Sequence, residues 1–230
     1  MPEGHFSSSA VAVYCGSSTG RQEAFSAAAR SLGLALAAAG RPLIYGGGSK
    51  GIMGVVSASA LEGGGKVIGV IPRVMLDQDG EKEKVHGVSI HLNEVERGKV
   101  ETIPVNSMHE RKVEMAKRAI GFVGLPGGFG TFEEVLEVIT WSQLGIHDKP
   151  VVLLNVHSFW EPLRTLIRKS IEAGFIKPAS ERLAIFVDGP TKDEDHLSFD
   201  WGKAAMEALD SWQMGQIEPL FHWPDRMDRT

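Results

Sequence analysis

The sequence is poorest in cysteine: Cys15 stands alone among 230 residues. One thiol builds neither a disulfide framework nor a thiolate zinc site, so the fold must rest on its core. Long apolar runs are also lacking, and Met1 to Ala10 carry no basic region followed by an apolar stretch. A cytosolic (cytoplasmic) protein with no membrane partner is expected. Basic residues are in deficit, 24 Lys and Arg against 29 Asp and Glu, which argues against a broad face for nucleic acid. A pocket for one phosphate needs only one or two cations. A Walker A loop is missing too, since Gly65-Lys66 is followed by Val67 where a magnesium-binding hydroxyl is required, which counts against ATP-driven phosphoryl transfer.

What is present is glycine, 27 residues of it, gathered in a few clusters. Between the clusters run short apolar segments that read as strands, at Val11 to Tyr14, Pro42 to Tyr45, Lys66 to Ile71, Ile120 to Leu125, Val151 to Leu154 and Ala184 to Val187. Helical periodicity covers Gln22 to Ala39, Ile52 to Glu62, Met108 to Arg118, Phe132 to Leu144, Phe159 to Ala173 and a last stretch between Asp195 and Trp212. The alternation predicts a doubly wound α/β fold, a Rossmann-like parallel sheet with helices on both faces. One catalytic domain is expected over residues 1–213, with 214–230 as a tail. The polar stretch Val74 to Ser107 has no sustained period and reads as a long loop, a candidate lid.

Three strands end in small-residue turns that open helices: Cys15-Gly16-Ser17-Ser18, Gly46-Gly47-Gly48-Ser49-Lys50-Gly51 and Pro126-Gly127-Gly128-Phe129-Gly130-Thr131. They should converge on one sheet edge. Glycine lets a ligand approach the backbone, and the first N–H groups of a helix favour an anion, so a phosphate is the natural guest. Gly46, Gly48 and Gly51 also fit dinucleotide-binding spacing, and Arg73 could meet a 2′-phosphate, which keeps an NADP reading open. By spacing alone, Thr131 to Glu134 is a capping box with Thr131 as N-cap. Arg111-Lys112 alone is a solvated helix face.

The segment Pro-Gly-Gly-x-Gly-Thr-x-x-Glu at Pro126 to Glu134 resembles the signature of the LONELY GUY family of cytokinin-activating phosphoribohydrolases, often mislabelled lysine decarboxylases. Met108-His109-Glu110-Arg111-Lys112, the Gly46 to Gly54 segment and Val70-Ile71-Pro72 reinforce the likeness, which covers roughly Val11 to Gly189. The resemblance implies a homodimer that cleaves an N6-modified adenosine 5′-monophosphate into free base and ribose 5-phosphate, with no cofactor. It implies Arg111 and Glu134 as the catalytic pair. Gly47, Ser49, Met108, Lys112, Gly127, Gly128, Phe129, Gly130, Thr131, Glu133 and Thr140 are implied as substrate- or phosphate-binding positions. A carboxylate suits an oxocarbenium-like transition state, and a permanent planar cation suits a phosphate or a departing purine.

The chain departs from the family between Pro72 and Met108, where it is longer and lacks a Pro-Arg-Glu segment. Glu94 and Glu101 are candidates to replace its glutamate, and Ser107 stands where relatives often carry Asp. Cys15 reads as turn packing. His86, His91, His109 and His147 show no metal spacing, so no metal is expected. Trp141 and Trp160 fall at helical apolar positions, and Trp141 suits the dimer interface that the resemblance implies. A nucleotide-binding module without catalysis and a general AMP nucleosidase are the remaining alternatives, while lysine decarboxylation lacks a suitable setting for a pyridoxal-bearing lysine at Lys50 or Lys66.

Overall fold

In β1 (Ala10–Tyr14) every residue is buried, and odd and even positions belong to two different cores. Val11 and Val13 point to one, Ala10, Ala12 and Tyr14 to the other, which is the pattern of a strand covered on both faces. The computed structural model describes residues 9–76, 99–215, 218–223 and 227. Around β1 lie β2 (Leu43–Tyr45), β3 (Val67–Pro72), β4 (Glu101–Val105), β5 (Ala119–Gly124), β6 (Val151–Asn155) and β7 (Ile185–Asp188). All six pairings are parallel, in the order β4-β3-β2-β1-β5-β6-β7. The chain winds outward from β1 to β4, then returns to β5 on the other side of β1. That reversal opens a crevice beyond the carboxyl ends of β1 and β5, where doubly wound sheets bind ligands.

Helices α1 (Glu23–Ala38) and α2 (Gly51–Glu62) cover one face, joined by α7 (Trp201–Asp210). On the other lie α4 (Met108–Arg118), α5 (Phe129–Leu144) and α6 (Glu161–Glu172), with the short α3 (Arg73–Leu76) following β3. Helix α1 ends as its glycine demands: Gly40 takes φ 64°, and the N–H groups of Gly40 and Arg41 bond back to Ala37 and Leu36. Gly33 lets α1 and α2 touch, since a Cβ there would stand 2.5 Å from Val56 O and 2.9 Å from Ala60 N. No helix among the described residues is long and apolar enough to cross a membrane.

Where a loop was expected from Val74 to Ser107, the described residues include α3 and the edge strand β4. Strand β4 escapes the apolar signature because four of its five residues are partly or fully exposed and one is Pro104, tolerated on an edge. The proposed lid, Glu94, His86 and His91 lie outside the described residues. Glu101 opens β4, opposite Ile68, and pairs with Lys66 at 2.7 Å. It therefore sits at the amino end of the sheet, away from the crevice. The final helix starts at Trp201, after a 3-10 turn over Asp193–Leu197, because Asp200 caps it by accepting from Lys203 N. Described parts of the tail pack on their own chain: Trp223 Nε1 donates to Leu144 O, and Lys149 Nζ donates to Met227 O.

Candidate active site

The three glycine turns do converge. Gly16 N donates to Pro126 O, tying the first turn to the third, while Met53 N donates to Gly16 O and Ile52 N to Ser18 O, tying the second turn to the first. The last two bonds consume donors at the start of α2. A Cβ at Gly51 would also overlap the Ser17 backbone. Helix α2 is thus plugged by the first turn, and the pyrophosphate cradle that an NADP reading requires is occupied by protein.

Helix α5 is different. It begins at Phe129 with Gly128 as N-cap, earlier than the capping-box spacing implies, and no side chain caps it. The N–H groups of Gly130 and Thr131 have no acceptor among the described residues. Sixteen helical residues place a positive dipole end behind those donors. Thr131 is not a cap but a buried spacer inside the first turn, packed so closely on Gly127 that a Cβ there would overlap its hydroxyl. The side-chain cap lies upstream instead, at α4, where Ser107 accepts from Glu110 N at 3.0 Å and the Glu110 carboxylate accepts from Asn106 N.

With Thr131 and Glu134 inside the helix, Glu134 is free to face α4. Arg111 Nη2 lies 3.1 Å from Glu134 Oε1, and the two side chains are 12% and 9% exposed. Arg111 crosses over Gly46, where a Cβ would overlap its guanidinium, and its Nε is buried without an acceptor. Next to this pair, Lys112 Nζ is held by Glu133 and, at 3.0 Å, by Glu137. Two cations from α4 therefore meet three carboxylates from α5.

Burial pushes the Glu134 carboxyl above its ordinary pKa, against the pull of Arg111. Burial also opposes the charge on Lys112, but the hydrogen bonds it donates to Glu133 and Glu137 outweigh it and hold the ammonium above the ordinary lysine value. Tyr14 lies buried among these charges, its phenol pushed well above its usual range by burial and by Glu134. Burial and Glu134 push the Cys15 thiol up in the same way, which disfavours its thiolate.

A cavity of about 250 Å³ joins the parts: Cys15, Gly16, Ser17, Gly46, Met53, Met108, Arg111, Gly128 to Thr131, Glu133 and Glu134 line it. Phe129 stands at its rim, 92% exposed. Gly47, Ser49, Lys112, Gly127 and Thr140 are not among its lining residues. Gly47 backs onto Ile71 with φ 80°, and the Thr140 hydroxyl is spent on Leu136 O at 2.8 Å. Sequence reasoning missed Glu137 and Tyr14. Glu137 carried a weak signal, the i+4 spacing from Glu133, and Tyr14 none. A separate group, His157, Asp193 and His196, has ligand atoms within 4.8 Å of one another. Both His196 nitrogens are already engaged, by His157 N and Pro190 O.

Residues 53–196 match the family model described as "Possible lysine decarboxylase". The chain is 47% identical over 220 residues, 96% of its length and 90% of the relative's, to cytokinin riboside 5′-monophosphate phosphoribohydrolase LOG5 of Arabidopsis thaliana. It is 42% identical over 220 residues, covering 96% and 80%, to cytokinin riboside 5′-monophosphate phosphoribohydrolase LOG of Oryza sativa subsp. japonica. Among solved structures it is similar to the molybdenum cofactor binding protein of Rippkaea orientalis, with TM-score 0.56, 17% identity and 90% and 98% coverage. The molybdenum cofactor carrier protein of Chlamydomonas reinhardtii gives 0.54 at 21% identity, covering 87% and 98%. At these identities the structural likeness speaks to the fold alone.

Proposed function

The chain belongs to the LONELY GUY family of cytokinin riboside 5′-monophosphate phosphoribohydrolases, and from that premise we propose how its own residues perform the hydrolysis. The reaction adds water across the N-glycosidic bond of an N6-modified adenosine 5′-monophosphate. Water oxygen bonds to C1′, the purine leaves with the bonding pair and a proton, and the products are free base and ribose 5-phosphate.

The 5′-phosphate is assigned to the open start of α5, at the N–H groups of Gly130 and Thr131, with Gly128 letting the ligand close on the backbone. Glu134, ionised, stabilises the positive charge that grows at C1′ and orients the attacking water. Arg111 offers its buried, unsatisfied Nε–H to the phosphate or to the leaving purine. The observation that carries this reading is the buried Arg111 and Glu134 pair set beside an uncapped helix start.

The alternative chemistry in the family description gains nothing from the site. Lysine decarboxylation normally uses a lysine that can shed its proton to bind pyridoxal phosphate. Lys112 is clamped in its charged form by two carboxylates, and Lys66 pairs with Glu101 at the other end of the sheet.

The partner is proposed to be a second copy of the chain. An apolar groove of about 380 Å³ on α5 and α6 is lined by Phe132, Leu136, Phe159, Trp160, Leu163 and Leu166, next to the site. Trp160 Nε1 is buried there without an acceptor. The catalytic unit is placed within residues 1–213, in the cytoplasm, where a single buried thiol is at no disadvantage.

The test is incubation with isopentenyladenosine 5′-monophosphate and with AMP, followed by chromatography for free base and assay of ribose 5-phosphate. Isopentenyladenine is expected in excess over adenine, and Glu134→Gln (E134Q) is expected to lower kcat by at least about a hundredfold. Adenine alone would make the protein a general AMP nucleosidase. Tight binding with no base released would leave a binding module.

A further inference from the structure

Glu137 does not line the cavity, yet it is one of two carboxylates on the Lys112 ammonium. The two acids stand one helical turn apart on α5 and are not equivalent. Glu133 lines the cavity and is 53% exposed, while Glu137 sits deeper at 21%. An ammonium has three donors, so it can keep one carboxylate while releasing another. Lys112 is itself only 14% exposed, and a cation that deep is costly to leave without a partner.

We propose that Glu137 is a positioning residue that anchors Lys112, so that Glu133 can leave the ammonium and accept hydrogen bonds from the sugar hydroxyls of an entering nucleoside monophosphate. The inference rests on the nucleotide reading of the site given above. Its logic is one of exchange. Without Glu137, every movement of Glu133 toward ligand strands a buried cation, and the binding free energy is spent on that. With Glu137 in place, Lys112 keeps a charge-assisted bond throughout, and its positive charge stays beside Glu134, where it favours the ionised carboxylate.

The experiment measures AMP affinity by calorimetry in E134Q and in E134Q/E137Q, and kcat and KM of E137Q and E137D with isopentenyladenosine 5′-monophosphate. AMP is expected to bind about tenfold more weakly to E134Q/E137Q than to E134Q, in line with losing one bond to a charged group. E137Q should show a comparable fall in kcat/KM, with partial recovery in E137D, which keeps the charge. A merely structural Glu137 would lower the unfolding midpoint but leave the AMP affinity and kcat/KM unchanged, and that result overturns the proposal. If the wild type releases no base, the hydrolytic reading fails, while the two AMP affinities still decide the role of Glu137. Absence of AMP binding to E134Q overturns both.

Discussion

Arg111 owes its place to an absence. Gly46 has no side chain, and the guanidinium lies over its Cα on the way to Glu134. Gly46 is not among the residues with positive φ, so alanine fits the backbone and the whole burden of G46A falls on Arg111. With Arg111 in the catalytic role proposed for it, a displacement of about 1 Å costs on the order of a hundredfold, so kcat/KM of G46A should drop by about that much with little change in unfolding midpoint. Glu134 supplies a second expectation. In the proposed mechanism its carboxyl acts ionised, and burial raises its pKa, so the acid limb of the kcat/KM profile should lie above the ordinary glutamate value. The sign for stability is opposite. A folded pKa above the unfolded one means that stability is lost as pH rises through the folded value, so the unfolding free energy of wild type relative to E134Q should decline over that window. Sequence spacing read Thr131 and Glu134 as a cap, because the pattern Thr-x-x-Glu fits one. The family likeness singled out Arg111 and Glu134. Glu137 stayed hidden because an acid one turn from another acid is the ordinary face of a solvated helix.

Among the elements, α1 and α2 show how small residues fix a geometry that the site then inherits. Gly33 meets the α2 backbone, and the start of α2 in turn bonds to the first glycine turn. In G33A, better helix propensity contributes about 1 kcal/mol in favour. Overpacking against backbone atoms, which cannot rotate away, costs about 3 kcal/mol. The clash wins, and denaturant unfolding should show a net loss of about 2 kcal/mol. The strands of the sheet interior were legible because strands buried on both faces are nearly all apolar, as in β1, β5 and β6. Strand β4 was not, since an edge needs burial on one side at most and its Pro104 mimics a loop. The start of α5 was read late because Gly128-Phe129-Gly130 looks like a turn, whereas Gly128 is an extended N-cap and the helix already runs from Phe129.

For the whole molecule, the apolar groove on α5 and α6 abuts the cavity through Phe132, whose ring meets the exposed Phe129 edge-on. Leu136 and Leu166 are 45% and 60% exposed. If the chain dimerises through this groove, as proposed, charging both in L136E/L166E should leave a monomer in sedimentation velocity without unfolding it, and an unchanged sedimentation coefficient would overturn the proposed interface. The order of the sheet, by contrast, was not written in any local pattern. It follows from the return of the chain across β1, a long-range choice that leaves no mark on periodicity. That return sets two helix starts side by side at one crevice, one stoppered by the carbonyls of Gly16 and Ser18, the other bare. On the proposed reading, the crevice offers a phosphate one helix start rather than two, because the donors at the start of α2 are already spent on Gly16 and Ser18.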